Sequence, residues 1–409
     1  MKTYLSFLIM FLIIAMAACV QDEITEELLN EDDLLKSHEI EEGKYSGILA
    51  RAAEWYISLP EGWEDTDTRY MIFYAHGLQD PGEGPNLPSD TISNRSIEDI
   101  ITGMGFGYAT TSYRDDGFIA DEAVEDIQAL HKKVCKVLKK MPPDVFILGG
   151  PSEGGLVTAL TLERYPKSFD GALSICGPIG DFFGQLQYNG NFHVLFNYFF
   201  GEDLATLGYS TGSPLGVGEN IMDQWRSGEL PAAVQQVLYA DALQGSIKLL
   251  QLLNCAQVPA DMTNPMAMGT AALQCLRYNI MITDDLIDRL DGTVPFNNLE
   301  TDYSGSLNDE ALNAQIQRVD ANSYMTAMMS VKKYETTGDI QIPFVTIHTT
   351  GDHVTPFWHD EIYRAKILSN DNGLLHTSLP VENYGHCTIE ESDIVTGLGI
   401  VITKIQMMP

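Results

Sequence analysis

Residues 144–155, DVFILGGPSEGG, constrain this chain more than any other stretch. Residues 144–148 are a short, nearly continuous apolar run, the composition of a strand buried on both faces. Gly149 and Gly150 permit a sharp turn after it, and Gly154 and Gly155 let a following helix approach closely. Between them stands Ser152, in the G-x-S-x-G pattern of a nucleophile elbow. Residues 156–162 (LVTALTL) supply the helix, and Tyr165-Pro166 ends it. The pattern alone is weak, because Gly208-Tyr209-Ser210-Thr211-Gly212 matches it too. That second match follows no apolar strand, and Pro214 stands where a helix would begin, so Ser210 reads as a loop serine and Ser152 as the nucleophile.

The surrounding chain alternates strand and helix patterns. Residues 45–59 carry apolar residues at alternate positions (Ala53, Trp55, Ile57, Leu59) and predict an antiparallel edge hairpin, closed by Pro60-Glu61-Gly62. Residues 70–75 (YMIFYA) predict a buried strand that ends in His76-Gly77. A helix over 96–104 and a strand over 108–113 follow. A long amphipathic helix over 121–141 then places Ala123, Ile127, Leu130, Val134 and Leu138 on one face. Residues 171–176 (GALSIC) are the next strand, closed by Gly177-Pro178. This rhythm predicts an α/β chain with a mostly parallel sheet and helices on both faces. It breaks over residues 181–339, where helix-like segments at 192–200, 221–225, 232–242, 247–253, 311–319 and 324–329 occur with no clear strand. A large, mainly helical cap inserted into the sheet domain is expected there. The sheet pattern resumes at 342–349 (IPFVTIHT), leading into Gly351-Asp352-His353-Val354-Thr355-Pro356. A helix over 358–367, a last strand over 374–379, a loop with Tyr384-Gly385-His386-Cys387 and a closing helix over 394–407 complete the chain, Gly397 and Gly399 weakening that last assignment.

At 409 residues the chain can bury one large core with an insertion, or two domains. Its net charge of −33 argues against nucleic-acid binding through phosphates and disfavours adhesion to anionic lipid. Lys2 followed by an apolar stretch over 5–16 reads as a signal peptide, too short to span a bilayer. It ends Met16-Ala17-Ala18-Cys19, which resembles a bacterial lipobox. The resemblance implies a signal peptide over 1–18, a lipid on Cys19, and an extracytoplasmic protein anchored to a bacterial membrane, periplasmic or at the surface. Residues 19–43 are acidic and polar and read as a tether. Of the remaining cysteines (Cys135, Cys176, Cys255, Cys275, Cys387), Cys255 and Cys275 form the most plausible disulfide, and no spacing is that of a zinc knuckle.

Ser152, Asp352 and His386 each directly follow an apolar strand, and their order resembles the α/β-hydrolase fold serine hydrolases. The match covers roughly 45–180 and 340–405, within a core expected over 44–180 and 340–409, and the cap over 181–339 is not covered. The resemblance implies an α/β-hydrolase fold with Ser152 as nucleophile, His386 as general base and Asp352 as the acid that orients it. The strand ending in His76-Gly77 is where many members place an oxyanion-hole donor, which assigns that role to the Leu78 and Glu153 N–H groups. Asp181, after the strand that ends at Cys176, is the runner-up acid. The run containing His348, Asp352 and His353 approaches the metallo-β-lactamase pattern, but Thr350 replaces a ligand, so no metal or other cofactor is implied. His348 then reads as a satisfied core residue, and His353 and His359 as loop and helix-surface residues. Cys387 beside His386 resembles the tannase and feruloyl-esterase group, in which a cysteine before the serine bridges one after the histidine. Pro151 occupies the first position here, so that bridge cannot form, although Cys176 could lie near Cys387. The expected activity is hydrolysis of carboxylic esters, small or polymer-linked. Peptide cleavage on the same machinery is the alternative, and ligand binding by an inactive scaffold is the third reading.

Overall fold

The computed structural model describes residues 38–240 and 244–408. The signal segment, Cys19 and the tether as far as residue 37 lie outside the described residues. Strands β1 (His38–Glu41), β2 (Lys44–Ile48), β3 (Glu54–Ser58), β4 (Tyr70–Tyr74), the short hairpin β5 (Thr91–Ile92) and β6 (Arg95–Ser96), β7 (Gly107–Thr111), β8 (Val145–Pro151), β9 (Gly171–Ile175), β10 (Phe344–Gly351) and β11 (His376–Tyr384) occur in that order. All but β5 and β6 form one nine-stranded sheet in the order β1-β2-β3-β7-β4-β8-β9-β10-β11. The pairs from β1 to β7 are antiparallel, and every pair from β7 to β11 is parallel. This is the mostly parallel sheet of the α/β-hydrolase fold.

Helices α1 (Ile97–Gly103), α2 (Ala120–Val137) and α3 (Glu153–Arg164) alternate with the first strands, and α11 (Trp358–Ser369) and α12 (Glu391–Met407) with the last. The two-residue period of the strands sorts them into two layers. Met71 and Phe73 of β4 face the core built with α2, α3 and α11, whereas Ile72 and Tyr74 face the core built with α1 and α12. The predicted apolar face of α2 is buried throughout, from Ala123 to Leu138.

Residues between β9 and β10 form α4 (Phe182–Thr206), α5 (Glu219–Arg226), α6 (Glu229–Leu238), α7 (Gln244–Cys255), α8 (Pro265–Arg289), α9 (Asp309–Gln315) and α10 (Tyr324–Ser330), and among the described residues add no strand to the sheet. They have a core of their own around Phe192, Phe196, Phe200, Leu252 and Leu276. Two long helices also enter the sheet domain's core, α4 through Phe182 and Leu186 and α8 through Leu286 and Leu290.

Three sequence expectations change. Helix α8 was not anticipated, because its residues are buried on several sides and blur the helical period. Its start was legible all the same, since Asn264 caps it and Pro265 takes the first turn. The acidic stretch assigned to the tether up to Gly43 contains β1, an edge strand held by backbone bonds that need no apolar side chains. Cys255 and Cys275 are free thiols. Cys275 Sγ donates to His353 O at 2.9 Å in the sheet domain, while Cys255 stays in the insert's core.

The glycines of α12 have separate explanations. A Cβ on Gly397 would meet Ile347 Cδ1 at 2.9 Å and Leu173 Cδ1 at 3.0 Å, so this glycine sets the helix–sheet spacing. Gly399 faces open space. Gly397→Val is therefore expected to destabilise by about 1–3 kcal/mol through overpacking. Gly399→Ala should stabilise by about 0.5–1 kcal/mol through helix propensity. Urea unfolding midpoints of the two variants read this difference.

Candidate active site

The parallel strands change direction of growth at β4. The chain adds β7 on one side of it and then β8 on the other, so the crevice beyond the C-terminal ends of β4 and β8 is a topological switch point. Ser152 follows β8 and Gly77-Leu78 follows β4, so both stand at that crevice.

The glycines around Ser152 are required by close approach. A Cβ on Gly150 or on Gly154 would sit 1.9 Å from Ala75 O, and one on Gly155 would sit 2.9 Å from Gly177 Cα. Ser152 itself has φ 55° and ψ −122°, a strained conformation for a residue with a Cβ. Its N–H donates to Ile175 O at 2.8 Å, and its carbonyl accepts from Gly155 N at 2.9 Å. The turn is thus tied to β9 on one side and to α3 on the other. Tyr113, Cys176 and Cys387 also have positive φ, at 58°, 49° and 51°, at or beyond the C-terminal ends of their strands.

Two turns bring the partners in. Ser152 Oγ lies 2.9 Å from His386 Nε2, and His386 Nδ1 lies 2.7 Å from Asp352 Oδ2. Nδ1–H donates to the carboxylate, which leaves Nε2 to accept from the serine hydroxyl. Asp352 is fully buried after β10, and its Oδ1 accepts the Val354 and Thr355 N–H groups, each at 2.9 Å. Burial alone would raise Asp352, but the charge and hydrogen bond of His386, with the charge of His348 and the Thr355 N–H, hold it below the usual carboxylate value. Burial would lower His386, but the Asp352 charge and hydrogen bond outweigh it and leave the imidazole above its ordinary value. Ring edges of Tyr278, from α8, meet His386 at 5.7 Å between centroids.

The two oxyanion candidates also stand at Ser152. Glu153 N–H opens α3, where the first N–H groups lack intrahelical acceptors. Gly77 lies against the nucleophile turn, since a Cβ there would be 3.4 Å from Pro151 O and 3.5 Å from Ser152 Cβ. His76 Nδ1–H donates to Gly77 O at 2.7 Å, and Tyr113 OH donates to His76 O at 3.2 Å while the two rings lie 3.9 Å apart. In a trans peptide the Leu78 N–H points opposite to the Gly77 carbonyl, so pinning that oxygen also sets the direction of the N–H.

Other candidates fall elsewhere. Asp181 caps α4, accepting from Gly184 N at 2.7 Å, so its carboxylate serves its own helix and not His386. Ser210 is an exposed loop residue. His348 is buried and donates from Nε2 to Thr355 O at 2.7 Å. His353 is buried against Gln274 at 2.6 Å, with burial pushing it down to about 4. His359 is not a surface residue: it is buried between Gly180 N at 3.0 Å and Gln185 Oε1 at 2.7 Å, because α4 packs over this face of α11. Tyr278 and the pinning role of His76 were missed, the first because α8 was missed and the second because it acts through the next peptide.

Two cavities adjoin Ser152. A polar cleft of about 420 Å³ is lined by His76, Leu78, Asp80, Glu83, Asp90, Tyr278 and His386. A smaller, mostly apolar slot of about 50 Å³ lies beneath the insert, lined by Phe118, Phe182, Leu186, Ile282 and Leu286. Asp80 is paired with Arg277 at 2.8 Å, and Asp90 accepts from Tyr74 OH at 2.9 Å.

Glu153 shows the opposite electrostatics to Asp352. Its carboxyl is buried, accepts Ile119 N–H at 2.7 Å, and is pushed up to about 8 by desolvation. The folded chain then holds a proton there that the unfolded chain, at the ordinary 4.5, releases. Stability is therefore expected to fall as pH rises from 4.5 to about 8, and Glu153→Gln should flatten that fall in chemical denaturation at several pH values. For His386, an NMR titration should find a midpoint above 6.5. Asp352→Asn should lower that midpoint, because the two largest effects opposing burial are removed and only the Cys176 charge is left against it.

No family model matches this sequence, and no curated protein matches it. Among solved structures, brefeldin A esterase, described as a bacterial homologue of human hormone sensitive lipase, is 11% identical with a TM-score of 0.46, over 89% of this chain and 77% of that one. Feruloyl esterase B from Aspergillus oryzae is 15% identical with a TM-score of 0.42, over 85% and 74%. Pyrococcus horikoshii acylaminoacyl peptidase is 10% identical with a TM-score of 0.37, over 82% of this chain and 35% of that one. The chain therefore spans about a third of the length of that peptidase. The solved structures it resembles include both esterases and peptidases, and the fold assignment stands on the strand order above.

Proposed function

We propose that this chain is a serine hydrolase that cleaves carboxylic esters through an acyl-enzyme. The observation that carries the reading is the unbroken hydrogen-bonded chain from Ser152 through His386 to Asp352 at the switch point of the sheet. A serine hydroxyl is a weak nucleophile until a base takes its proton, and His386 Nε2 is in reach to do so. As Ser152 Oγ attacks the acyl carbon, Asp352 stabilises the imidazolium that forms. The Leu78 and Glu153 N–H groups receive the developing oxyanion. His386 then protonates the leaving alcohol, and water repeats the sequence on the acyl-enzyme.

The lining of the two cavities supports a placement for the two halves of the substrate. The leaving group must face His386, which lines the polar cleft and not the apolar slot. The acyl group therefore takes the slot, whose volume suits a short chain, and the alcohol takes the cleft, whose polar walls suit a hydroxylated partner. One observation favours the peptidase alternative: the carboxylates in the cleft would hold a substrate's amino terminus. Two of them are already engaged, Asp80 by Arg277 and Asp90 by Tyr74, which leaves Glu83 and keeps esters first.

The N-terminal pattern adds the proposal that Cys19 carries a lipid anchoring the protein to a bacterial membrane outside the cytoplasm. No helix among the described residues is long and apolar enough to cross a membrane. Cys19→Ala is expected to move the protein from the membrane fraction to the soluble fraction, and its retention on the membrane would argue against the anchor.

Intact mass after treatment with a fluorophosphonate tests the chemistry. One adduct is expected on the wild type and none on Ser152→Ala, with hydrolysis of a short p-nitrophenyl ester falling about 10³-fold or more in Ser152→Ala and in His386→Ala. Peptide anilides cleaved faster than esters would transfer the assignment to the peptidase. An unlabelled wild type of native circular dichroism would overturn the catalytic reading.

A further inference from the structure

Two thiols meet beside the His386 turn. Cys176 follows β9 and Cys387 follows His386, and both are held at positive φ, 49° and 51°. Their sulfurs lie within 4.8 Å of one another and of an Asp352 carboxylate oxygen. Cys387 Sγ is 3.9 Å from Ile175 O, the last residue of β9, and 3.9 Å from His386 Nε2. Cys176 is fully buried, with Thr349 Oγ1 at 3.9 Å. Cys387 lines the polar cleft, so it is the member that a solute can reach. It also lines an apolar cavity of about 190 Å³ on the other side, so its sulfur has room to move.

We propose that Cys176 and Cys387 form a redox pair that closes to a disulfide and fastens the His386 turn to the end of β9. The pairing follows from which sulfurs the tertiary structure places together, since Pro151 precedes Ser152 and Cys255 and Cys275 are directed elsewhere. The sulfurs have to close from under 4.8 Å to about 2.05 Å, a gap of the size that side-chain rotation covers. The oxidant is a small-molecule disulfide. Cys387 loses its thiol proton and attacks one sulfur of that molecule, forming a mixed disulfide and expelling one small thiolate. Cys176, as thiolate, then attacks the Cys387 sulfur, forming the protein disulfide and expelling the second thiolate. The two protein thiols are oxidised, the small disulfide is reduced to two thiols, and the two protons pass to the leaving thiolates. Burial and the neighbouring Cys176 push the Cys387 thiol well up, so Cys387 attacks as the accessible but slowly ionising member. Burial opposes ionisation of Cys176 too, but there the hydrogen bond from Cys387 and the nearby histidine charges outweigh it and bring the thiol down to about 7, which suits the resolving role.

The pairing is independent of hydrolysis, so its test reads sulfur connectivity. Folded, reduced protein in a metal chelator would be incubated with oxidised glutathione, alkylated in denaturant and digested without reductant. A single linked peptide joining Cys176 to Cys387 is expected, lost in Cys176→Ser and in Cys387→Ser and retained in Cys255→Ser. The oxidised form should also melt several degrees higher, about 2–8 °C, because the link closes a long loop. Quantitative alkylation of both thiols after oxidation, or linkage appearing only when oxidation is carried out in urea, would overturn the proposal.

Discussion

The site depends on how closely three backbones approach at the switch point of the sheet. Ala75 O, at the end of β4, occupies the space where side chains on Gly150 and Gly154 would stand. Gly155 and Gly177 make the same concession between α3 and the end of β9. With those side chains absent, the serine turn is wedged between two strands and one helix, and Ser152 stays at φ 55°. Such a conformation costs on the order of 1–3 kcal/mol, which the surrounding strands and the bond from Ser152 N to Ile175 O offset. Both oxyanion candidates inherit their positions from this contact, because one opens the helix and the other follows the strand that touches it.

Two buried carboxyl groups within the same site end in opposite states for a physical reason. Asp352 has three backbone N–H donors, from Val354, Thr355 and, at 3.4 Å, Cys387, together with an imidazole, enough to hold an anion in a dry place. Glu153 receives one backbone N–H, and desolvation dominates. The first is suited to stabilise a cation on His386, and the second to pack as a neutral acid under the Ile119 turn. Burial alone would not have distinguished them; the count of donors does.

The helical insert is not an independent lid resting on the sheet domain. Arg277 reaches Asp80, Asp285 accepts Phe118 N–H, and Tyr188 OH and Cys275 Sγ both donate to His353 O. Helices α4 and α8 thereby join the cleft walls to the turn that carries Asp352. The floor of the site comes from the sheet and its walls from α4 and α8, which line the slot, and from the loop after β4, which lines the cleft.

The strand-to-turn-to-helix at Ser152, the succession of strands and helices along most of the sheet domain and the positions of Asp352 and His386 were legible in the sequence. Each rests on short-range constraints: an apolar run that must be buried, glycines at a turn, a polar residue at a strand's end. The amphipathic period of α2 belongs with them. What the sequence could not decide was set by contacts between distant segments. His359 reads as a surface residue until α4 covers it, and α8 has no clean period because both the sheet domain and the insert bury it. Strand β1 carries acidic side chains yet pairs through its backbone, which leaves no apolar trace. The cysteines show the division most plainly. Nearness along the chain suggested Cys255 with Cys275, whereas the fold places Cys176 beside Cys387 across 211 residues, because β9 and β11 end at the same edge of one parallel sheet.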